Sequence, residues 1–213
     1  RNNFAVPPTP NAKIASQVLA RPGWLWDLIR SPKITPANFN HLRGGDAGAK
    51  GGIIGFVNEQ FSRSVAWEDV KWMRDFWDGG FAIKGIARAE DAMNAVSLGA
   101  DAVWVSNHGG RQLDTSVPVI DLLPEIVEAV AGRADIIADG GVRRGSHIAK
   151  LLMRGATGVA LGRASLFGLG AGGQAGVERA LTILEEELRR TMALLGATRV
   201  EELDPDLMRP PKI

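Results

Sequence analysis

The residues best suited to chemistry lie in the segment Ser106–Asp114, directly after the short apolar run Ala102–Val105. A buried strand ending there would place His108 on a glycine-rich turn at its carboxyl end, where backbone can approach a ligand. An imidazole suits proton transfer near neutral pH. The guanidinium of Arg111 is shaped to hold a carboxylate through two parallel hydrogen bonds. A base beside a carboxylate clamp predicts chemistry at the carbon next to a carboxylate.

Glycines and arginines follow the next two strand-like runs. Asp139–Gly145 follows one run and opens a helix, and Gly162 with Arg163 follows the other. Glycine turns expose backbone N–H groups, arginines add bidentate contacts and helix N-termini attract anions, so these two loops predict a phosphate site. Lys84 ends a further apolar run, where a lysine is costly without an anionic or polar partner. We therefore expect Lys84 to face a cofactor or substrate, whereas His147 is interpreted as structural.

From about residue 80 the chain alternates strand-like and helix-like segments. Short apolar runs predict strands buried on both faces at Phe81–Ile86, Ala102–Asn107, Asp135–Asp139 and Gly158–Leu161. Helices are predicted at Trp67–Trp77, Ala89–Leu98, Val119–Val130, Ser146–Met153 and Gly176–Leu195. Strand–helix units in series predict an α/β fold with a parallel sheet, either doubly wound or half of an eight-fold barrel. The barrel is favoured because chemically capable residues end every strand.

Composition excludes several classes of protein. The chain has 213 residues, enough for one domain or part of a larger one, and its net charge of +1 gives no bulk attraction for nucleic acid. It contains no cysteine, which excludes disulfides and thiolate metal sites, and we expect no metal in the site. No apolar run approaches the roughly 20 residues that span a bilayer, and no signal peptide is visible, so we expect a cytoplasmic protein.

Residues 1–63 differ from the rest because they are rich in Pro, Asn and Gly and lack a strand–helix period. We interpret them as a connecting segment, and residues 64–213 as a half-barrel with a phosphate site and a C-terminal tail. The aromatic stretch Trp24–Ile29 predicts either a helix packed on the barrel or a neighbouring subunit, or an interfacial membrane foot. The glycine-rich stretch Gly44–Gly55 is typical of a mobile loop and is a candidate lid.

Together these motifs resemble the FMN-dependent (S)-2-hydroxy-acid oxidase and dehydrogenase family, which includes glycolate oxidase, lactate oxidase and mandelate dehydrogenase. The resemblance runs from Arg1 to Asp204 and looks closest to the mandelate dehydrogenase branch. The family fold is a (β/α)8 TIM barrel, so the resemblance implies that this chain holds its C-terminal half, units five to eight. The motifs occur in the family's order and spacing: Ile83–Gly85, Ser106–Asp114, Asp139–Gly145 and Leu161–Arg163.

The resemblance implies FMN as the cofactor and the oxidation of a mandelate- or lactate-like (S)-2-hydroxy acid to the 2-oxo acid. His108 would take the proton of the α-hydroxyl group, and Arg111 would bind the substrate carboxylate. The electrons would leave either as a hydride or through a carbanion. Lys84 and Ser106 would contact the flavin ring. The remaining residues would bind the ribityl phosphate: Asp139, Gly140, Gly141, Val142, Arg143, Gly162 and Arg163.

The chain departs from the family pattern in the residues it lacks. The family's two active-site tyrosines, the aspartate that orients the histidine and a second substrate arginine match positions before Arg1, and this chain contains no tyrosine. We therefore expect the chain alone to be inactive, which leaves an FMN- or phosphate-binding module without turnover as the alternative function. We favour a fragment of a longer enzyme over a subunit that pairs with a separate N-terminal half or one that self-associates to cover its sheet edges.

The resemblance also implies partners. Family members are commonly homo-oligomers, and the tail Glu201–Ile213 is long enough to reach a neighbouring subunit. In membrane-bound members of the mandelate branch, the segment matching Trp24–Ile29 is a membrane foot, which implies peripheral contact with the inner membrane face. Another phosphate-binding barrel, of the inosinate dehydrogenase type, would need a nucleophilic cysteine that this chain lacks.

Overall fold

The computed structural model describes residues 12–31, 62 and 64–208. The chain divides into two compact units, Arg1–Val65 and Ala66–Ile213. The glycine-rich stretch Gly44–Gly55 lies outside the described residues, so its interpretation as a lid stays a prediction.

The described part of the first unit consists mainly of two short helices, α1 (Ala12–Leu19) and α2 (Pro22–Arg30). Pro22 fits the start of α2 because the first N–H groups of a helix have no partner within the helix. The aromatic stretch that the sequence singled out therefore lies within α2. Among the described residues, no helix has the length and apolar character needed to cross a bilayer.

The second unit is built on a parallel sheet with the strand order β1-β2-β3-β4. Helix α3 (Trp67–Phe76) precedes the sheet. Each strand is then followed by a helix: β1 (Ala82–Ile86) by α4 (Ala89–Ser97), β2 (Ala102–Val105) by α5 (Val119–Val130), β3 (Asp135–Ala138) by α6 (Gly145–Met153) and β4 (Gly158–Val159) by α7 (Arg163–Leu195). Single turns of 3-10 helix follow at Val200–Glu202 and Pro205–Leu207. The parallel α/β order predicted from the apolar runs is confirmed.

The strands alternate their side chains between two environments. Val103 and Val105 are fully buried in the core formed with the helices, beside Leu123 and Ile126 of α5. Lys84 and Trp104 stand opposite each other in the register of β1 and β2. Alternation along a strand therefore separates the core-forming residues from the residues that lead toward the site.

Helix α7 differs from its prediction. The sequence predicted a helix beginning at Gly176, whereas the helical segment begins at Arg163 and is interrupted at Gly172 and Gly173, where Gly173 adopts φ 58° and ψ −139°. A Cβ added at Gly168 would lie 2.5 Å from the carbonyl oxygen of Gly176. The backbones of the two helical parts therefore approach each other closely at these residues. Glycine has a low helix propensity, so these glycines suggest a loop in the sequence. In the structure they allow two helical backbones to cross closely.

The C-terminal tail packs against helices of the same chain as far as residue 208. Leu203 is buried in a cluster with Met192 of α7 and with Ala149 and Met153 of α6, and Met208 packs against that cluster. Residues 209–213 lie outside the described residues. The reach of the tail toward a neighbouring subunit stays a prediction.

Candidate functional site

The loops after the four strands converge on one cleft of about 480 Å³. That volume lies within the range of small-molecule sites. The cleft is lined by every predicted site residue except Ser106: Lys84, His108, Arg111, Asp139, Gly140, Gly141, Val142, Arg143, Gly162 and Arg163. Parallel strands explain the convergence, because their carboxyl ends meet at the same edge of the sheet.

A hydrogen-bonded group at the base of the cleft joins the ends of three strands. Lys84 Nζ lies 2.9 Å from Asp139 Oδ2 and donates a hydrogen bond of 2.8 Å to Ser106 Oγ. Ser106 Oγ in turn donates to Asp139 Oδ1. The lysine that the sequence predicted to need an anionic partner therefore has one. The prediction that its strand is buried on both faces is wrong, because only Ile86 of β1 is buried and the Lys84 side chain is 44% exposed.

The loop after β2 turns sharply to present His108. This residue has φ 55°, a left-handed conformation that is uncommon outside glycine. Its backbone N–H donates to Ser106 Oγ at 3.1 Å, and the next N–H, of Gly109, donates to Asn107 Oδ1 at 3.0 Å. His108 and Arg111 both have exposed side chains and line the cleft, so the predicted base and carboxylate clamp face the same space.

The two glycine loops contribute differently to an anion site. The N-terminus of α6 is filled by Glu187 of α7, whose Oε2 accepts from Gly145 N at 2.9 Å and whose Oε1 lies 3.0 Å from Arg144 Nη1. The first turn of α7, which begins at Arg163, has no side-chain cap. Glu187 therefore occupies the start of α6, whereas the start of α7 is available to an anion. That both loops contribute to one phosphate site stays a prediction.

The cleft is strongly cationic. Its charged walls comprise Lys84, Arg111, Arg143 and Arg163 against the carboxylate of Asp139. Lys84 and Asp139 neutralise each other. Within the part of the chain that the structure describes, the three arginines form no ion pair with a carboxylate. The remaining charge suits a ligand, or a pair of ligands, carrying about three negative charges.

Two residues of the site were missed in the sequence. Asn107 supplies the oxygen that caps the His108 turn, and a Cβ added at Gly140 would lie 2.9 Å from that oxygen. An asparagine opening a glycine-rich turn is a recognised signal for such a cap. Trp104 was interpreted only as part of an apolar strand, yet its ring centroid lies 5.2 Å from Lys84 Nζ. Single-residue propensity carries no signal for that contact.

Among the described residues, no group of three or more His, Asp or Glu side chains could hold a metal ion. His147 lies near the site but not in the cleft, and its Nδ1 accepts from the backbone N–H of Arg143 at 3.4 Å.

Comparison with known proteins identifies relatives over nearly the whole chain. The sequence model of the family described as FMN-dependent dehydrogenase matches residues 1–210. An L-lactate dehydrogenase of Xanthomonas campestris pv. campestris (strain 8004) is 43% identical over 203 residues, which cover 93% of this chain and 52% of the relative. An L-lactate dehydrogenase of Ectopseudomonas mendocina (strain ymp) is 42% identical over 193 residues, which cover 90% of this chain and 51% of the relative.

Solved structures of related proteins also match this chain. The monotopic membrane protein (S)-mandelate dehydrogenase matches with a TM-score of 0.85 and 35% identity, covering 98% of this chain and 54% of that one. A mandelate oxidase variant with a monooxide FMN adduct matches with a TM-score of 0.63 and 44% identity, covering 65% of this chain and 44% of that one.

The chain spans about half the length of the curated relatives it matches. Its strand–helix units form the C-terminal half of a (β/α)8 barrel, which confirms the predicted fold. The chain belongs to the FMN-dependent dehydrogenase family.

Proposed function

We propose that this chain carries the catalytic and phosphate-binding loops of an enzyme that oxidises an (S)-2-hydroxy acid to the 2-oxo acid with FMN. One observation carries the proposal: three arginines that have no carboxylate partner among the described residues line the same cleft as His108. A flavin phosphate brings about two negative charges and a hydroxy-acid carboxylate brings one, which matches the three guanidinium groups.

The start of α7 is the proposed place for the phosphate of FMN. The first turn of α7 has no side-chain cap, and Gly162, Arg163 and Ala164 line the cleft together with Arg143. Gly141 adopts φ 72°, and a Cβ built on it would meet nothing within 4 Å, so its backbone is open to a ligand. When bound, FMN supplies the acceptor for two electrons. We propose the following residues for the cofactor side: Lys84, Ser106, Asp139, Gly140, Gly141, Val142, Arg143, Gly162 and Arg163.

His108 and Arg111 are proposed for the substrate side. Arg111 binds the carboxylate and so fixes the adjacent carbon in front of His108. His108, which lines the same cleft, would hold the proton that the hydroxyl group loses when the hydroxy acid is oxidised. Lys84, which Asp139 and Ser106 hold in place at the end of β1, would turn its ammonium group toward the bound cofactor. A lactate or mandelate type of substrate is proposed because the relatives carry those names.

A titration tests the proposal directly. FMN is titrated with the chain while the flavin fluorescence is followed. (S)-Mandelate or L-lactate is then added while the flavin absorbance is recorded. Tight binding followed by bleaching supports oxidation of the hydroxy acid. Binding without bleaching favours the alternative, a cofactor-binding module that needs further residues for turnover. An affinity for FMN no greater than that for riboflavin contradicts the phosphate site.

The exposed apolar residues of α2 favour a second, independent property, which is contact with a membrane surface. Trp24, Trp26, Leu28 and Ile29 are between 41% and 68% exposed, and the guanidinium carbon of Arg30 lies 4.6 Å from the centroid of the Trp26 ring. Tryptophan and arginine side by side suit the boundary between lipid tails and headgroups. We propose that the protein is cytoplasmic and that α2 binds peripherally to the inner face of the membrane.

Flotation with vesicles of phosphatidylethanolamine and phosphatidylglycerol tests this contact. The chain should float with the vesicles, and a Trp24→Ser, Trp26→Ser variant should remain in the dense fraction. Equal flotation of both forms, or of neither, would contradict a role for α2. We also propose a homo-oligomer. Sedimentation velocity on the protein without vesicles measures its oligomeric state.

A further inference from the structure

Glu187 of α7 reaches the start of α6, 42 residues earlier in the chain. Its side chain is 20% exposed, and its Oε2 accepts a hydrogen bond of 2.9 Å from the backbone N–H of Gly145. Its Oε1 lies 3.0 Å from Arg144 Nη1. A carboxylate at this place satisfies an N–H group that has no partner within the helix, and it interacts favourably with the helix dipole. The start of α6 is therefore held to α7 by a charge-assisted hydrogen bond.

The backbones of the two helices also meet at this point. Gly145 is buried, and a Cβ added to it would overlap the backbone nitrogen of Leu188. A larger residue at Gly145 would therefore push the start of α6 away from α7. We call the contact between Gly145, Glu187 and Leu188 the α6–α7 junction.

The α6–α7 junction fixes one end of the glycine loop that follows β3. At the other end of the loop, the N–H of Asp139 donates to the carbonyl oxygen of Val105 at 3.2 Å. Residues 140–143 lie between these two ends and line the cleft, and Gly140 and Gly141 have φ of 114° and 72°. Glycine loses more conformational freedom on ordering than any other residue, so fixed ends lower the cost of holding this loop in one shape.

The helix that carries Glu187 also follows the second glycine loop. Helix α7 begins at Arg163, directly after Gly162. Its two helical parts pack closely together where they cross at Gly168 and Gly176. Glu187 therefore connects the loop after β3 to the helix that starts at the loop after β4. A phosphate held by both loops requires a fixed distance between them.

We infer that Glu187 is a positioning residue that holds the glycine loop after β3 in the shape that binds the cofactor phosphate. This inference rests on the proposed function, because it takes the anion of this cleft to be the phosphate of FMN. Glu187 carries the same sign of charge as the phosphate, so its charge alone opposes binding, and the ion pair with Arg144 offsets part of that repulsion. Position and charge therefore predict opposite effects when Glu187 is replaced.

Two substitutions at Glu187 separate these effects. Glu187→Ala removes the acceptor of the Gly145 N–H, whereas Glu187→Gln keeps an acceptor oxygen on a side chain of the same length and removes only the charge. Glu187→Asp is one methylene shorter and replaces Glu187→Ala if that variant does not fold. Glu186→Ala is the matched control, because Glu186 is exposed on the same helix and its side chain has no ion pair among the described residues.

Titrations with FMN and riboflavin, followed by flavin fluorescence, measure the contribution of the phosphate, since the two flavins differ only in that group. We expect Glu187→Ala to raise the Kd for FMN about tenfold and the Kd for riboflavin less than about twofold, because the loop is no longer preorganised. In Glu187→Gln the Kd for FMN should equal the wild-type value or lie below it, and in Glu186→Ala it should not change.

Two results would overturn the inference. If the charge of Glu187 decided the affinity, Glu187→Ala and Glu187→Gln would both bind FMN more tightly than the wild type. If Glu187 served only the stability of the fold, Glu187→Ala would lower Tm and keep the wild-type preference for FMN over riboflavin. A wild-type chain without that preference would instead contradict the proposed function.

Hydrogen exchange tests the position of the loop without any flavin. The N–H of His147 donates to the carbonyl oxygen of Arg144 at 3.0 Å in the first turn of α6. The sequence contains only three histidines, so 15N-histidine labelling gives three backbone amide signals, and a His147→Gln variant identifies this one. We expect this amide to exchange at least about tenfold faster in Glu187→Ala than in the wild type, Glu187→Gln or Glu186→Ala. Equal exchange rates would show that Glu187 does not hold the start of α6 and would overturn the inference, whether or not FMN binds.

Discussion

Arg163 Nη2 donates a hydrogen bond of 2.9 Å to the carbonyl oxygen of Gly109. Arg163 begins α7, where we propose the phosphate binds, and Gly109 directly follows the proposed base, His108. The two ends of the cleft are therefore joined by one side chain. A ligand that draws the guanidinium toward α7 also acts on the turn that holds the histidine.

The close approach of these two residues makes Gly109→Ala informative. A Cβ at Gly109 would lie 2.8 Å from Arg163 Nη2, and its φ of 64° disfavours any side chain. Gly110→Ala is the control, because Gly110 has φ 70° but a Cβ there meets nothing within 4 Å. Both variants carry backbone strain of about 1 kcal/mol, but only Gly109→Ala displaces the arginine. We expect the Kd for FMN, measured by fluorescence quenching, to rise more in Gly109→Ala. Equal values would show that the Arg163 contact does not matter for the cofactor.

The adjacent arginines Arg143 and Arg144 should differ in their effect on FMN binding. Arg143 lines the cleft, whereas Arg144 forms an ion pair with Glu187 at the start of α6. We expect Arg143→Ala to weaken FMN binding by about 1.5–3 kcal/mol, the usual loss of a hydrogen bond to a charged group. Arg144→Ala should leave the Kd near wild type and lower the free energy of unfolding by at most about 1 kcal/mol, since its guanidinium is exposed. Isothermal titration calorimetry gives the Kd values, and the reverse order would place the phosphate elsewhere.

Glu202 gives a pH-dependent contribution to stability. Its carboxylate accepts hydrogen bonds from the N–H of Thr198 at 2.6 Å and from the Thr198 hydroxyl at 2.9 Å, and these hold the pKa of Glu202 below its ordinary value. Because the pKa is lower in the folded state, the stabilisation is present above the unfolded pKa and is lost as pH falls through the folded one.

Replacing Glu202 by Gln should therefore lower Tm near neutral pH, and the difference from wild type should shrink below about pH 4. Glu201→Gln is the control, because no hydrogen bond to the Glu201 side chain is present among the described residues. Differential scanning calorimetry across this range measures the effect. A Tm difference that does not change with pH would mean that the carboxylate charge is not the cause.

The order of the elements and most of the predicted residues that line the cleft could be read from the sequence, because they depend on local patterns. Short apolar runs indicated the strands, and glycine–arginine loops marked the strand ends that meet at one cleft. The contacts between distant residues were not predictable. The capping of α6 by Glu187 joins residues 42 positions apart, and the bond from Arg163 to Gly109 joins residues 54 apart. Tertiary packing decides both, and no local propensity encodes them.

The helical crossing at Gly168 and Gly176 positions the start of α7. In Gly168→Ala the Cβ would lie 2.5 Å from the Gly176 carbonyl oxygen, and rotation of a side chain cannot relieve a contact with backbone. We expect the free energy of unfolding to fall by about 1–3 kcal/mol, as for other overpacked positions. FMN should also bind more weakly, because the first turn of α7 must shift. Urea denaturation and FMN titration measure the two effects.

Gly170→Ala is the control for this crossing, since Gly170 lies in the same helical part and a Cβ there meets nothing within 4 Å. Alanine is a better helix former than glycine by up to about 1 kcal/mol, so this variant should be as stable as the wild type or more stable. Its affinity for FMN should be unchanged. If Gly168→Ala and Gly170→Ala behaved alike, helix propensity and not the close crossing would govern this region. The position of the α7 N-terminus would then have to depend on other contacts.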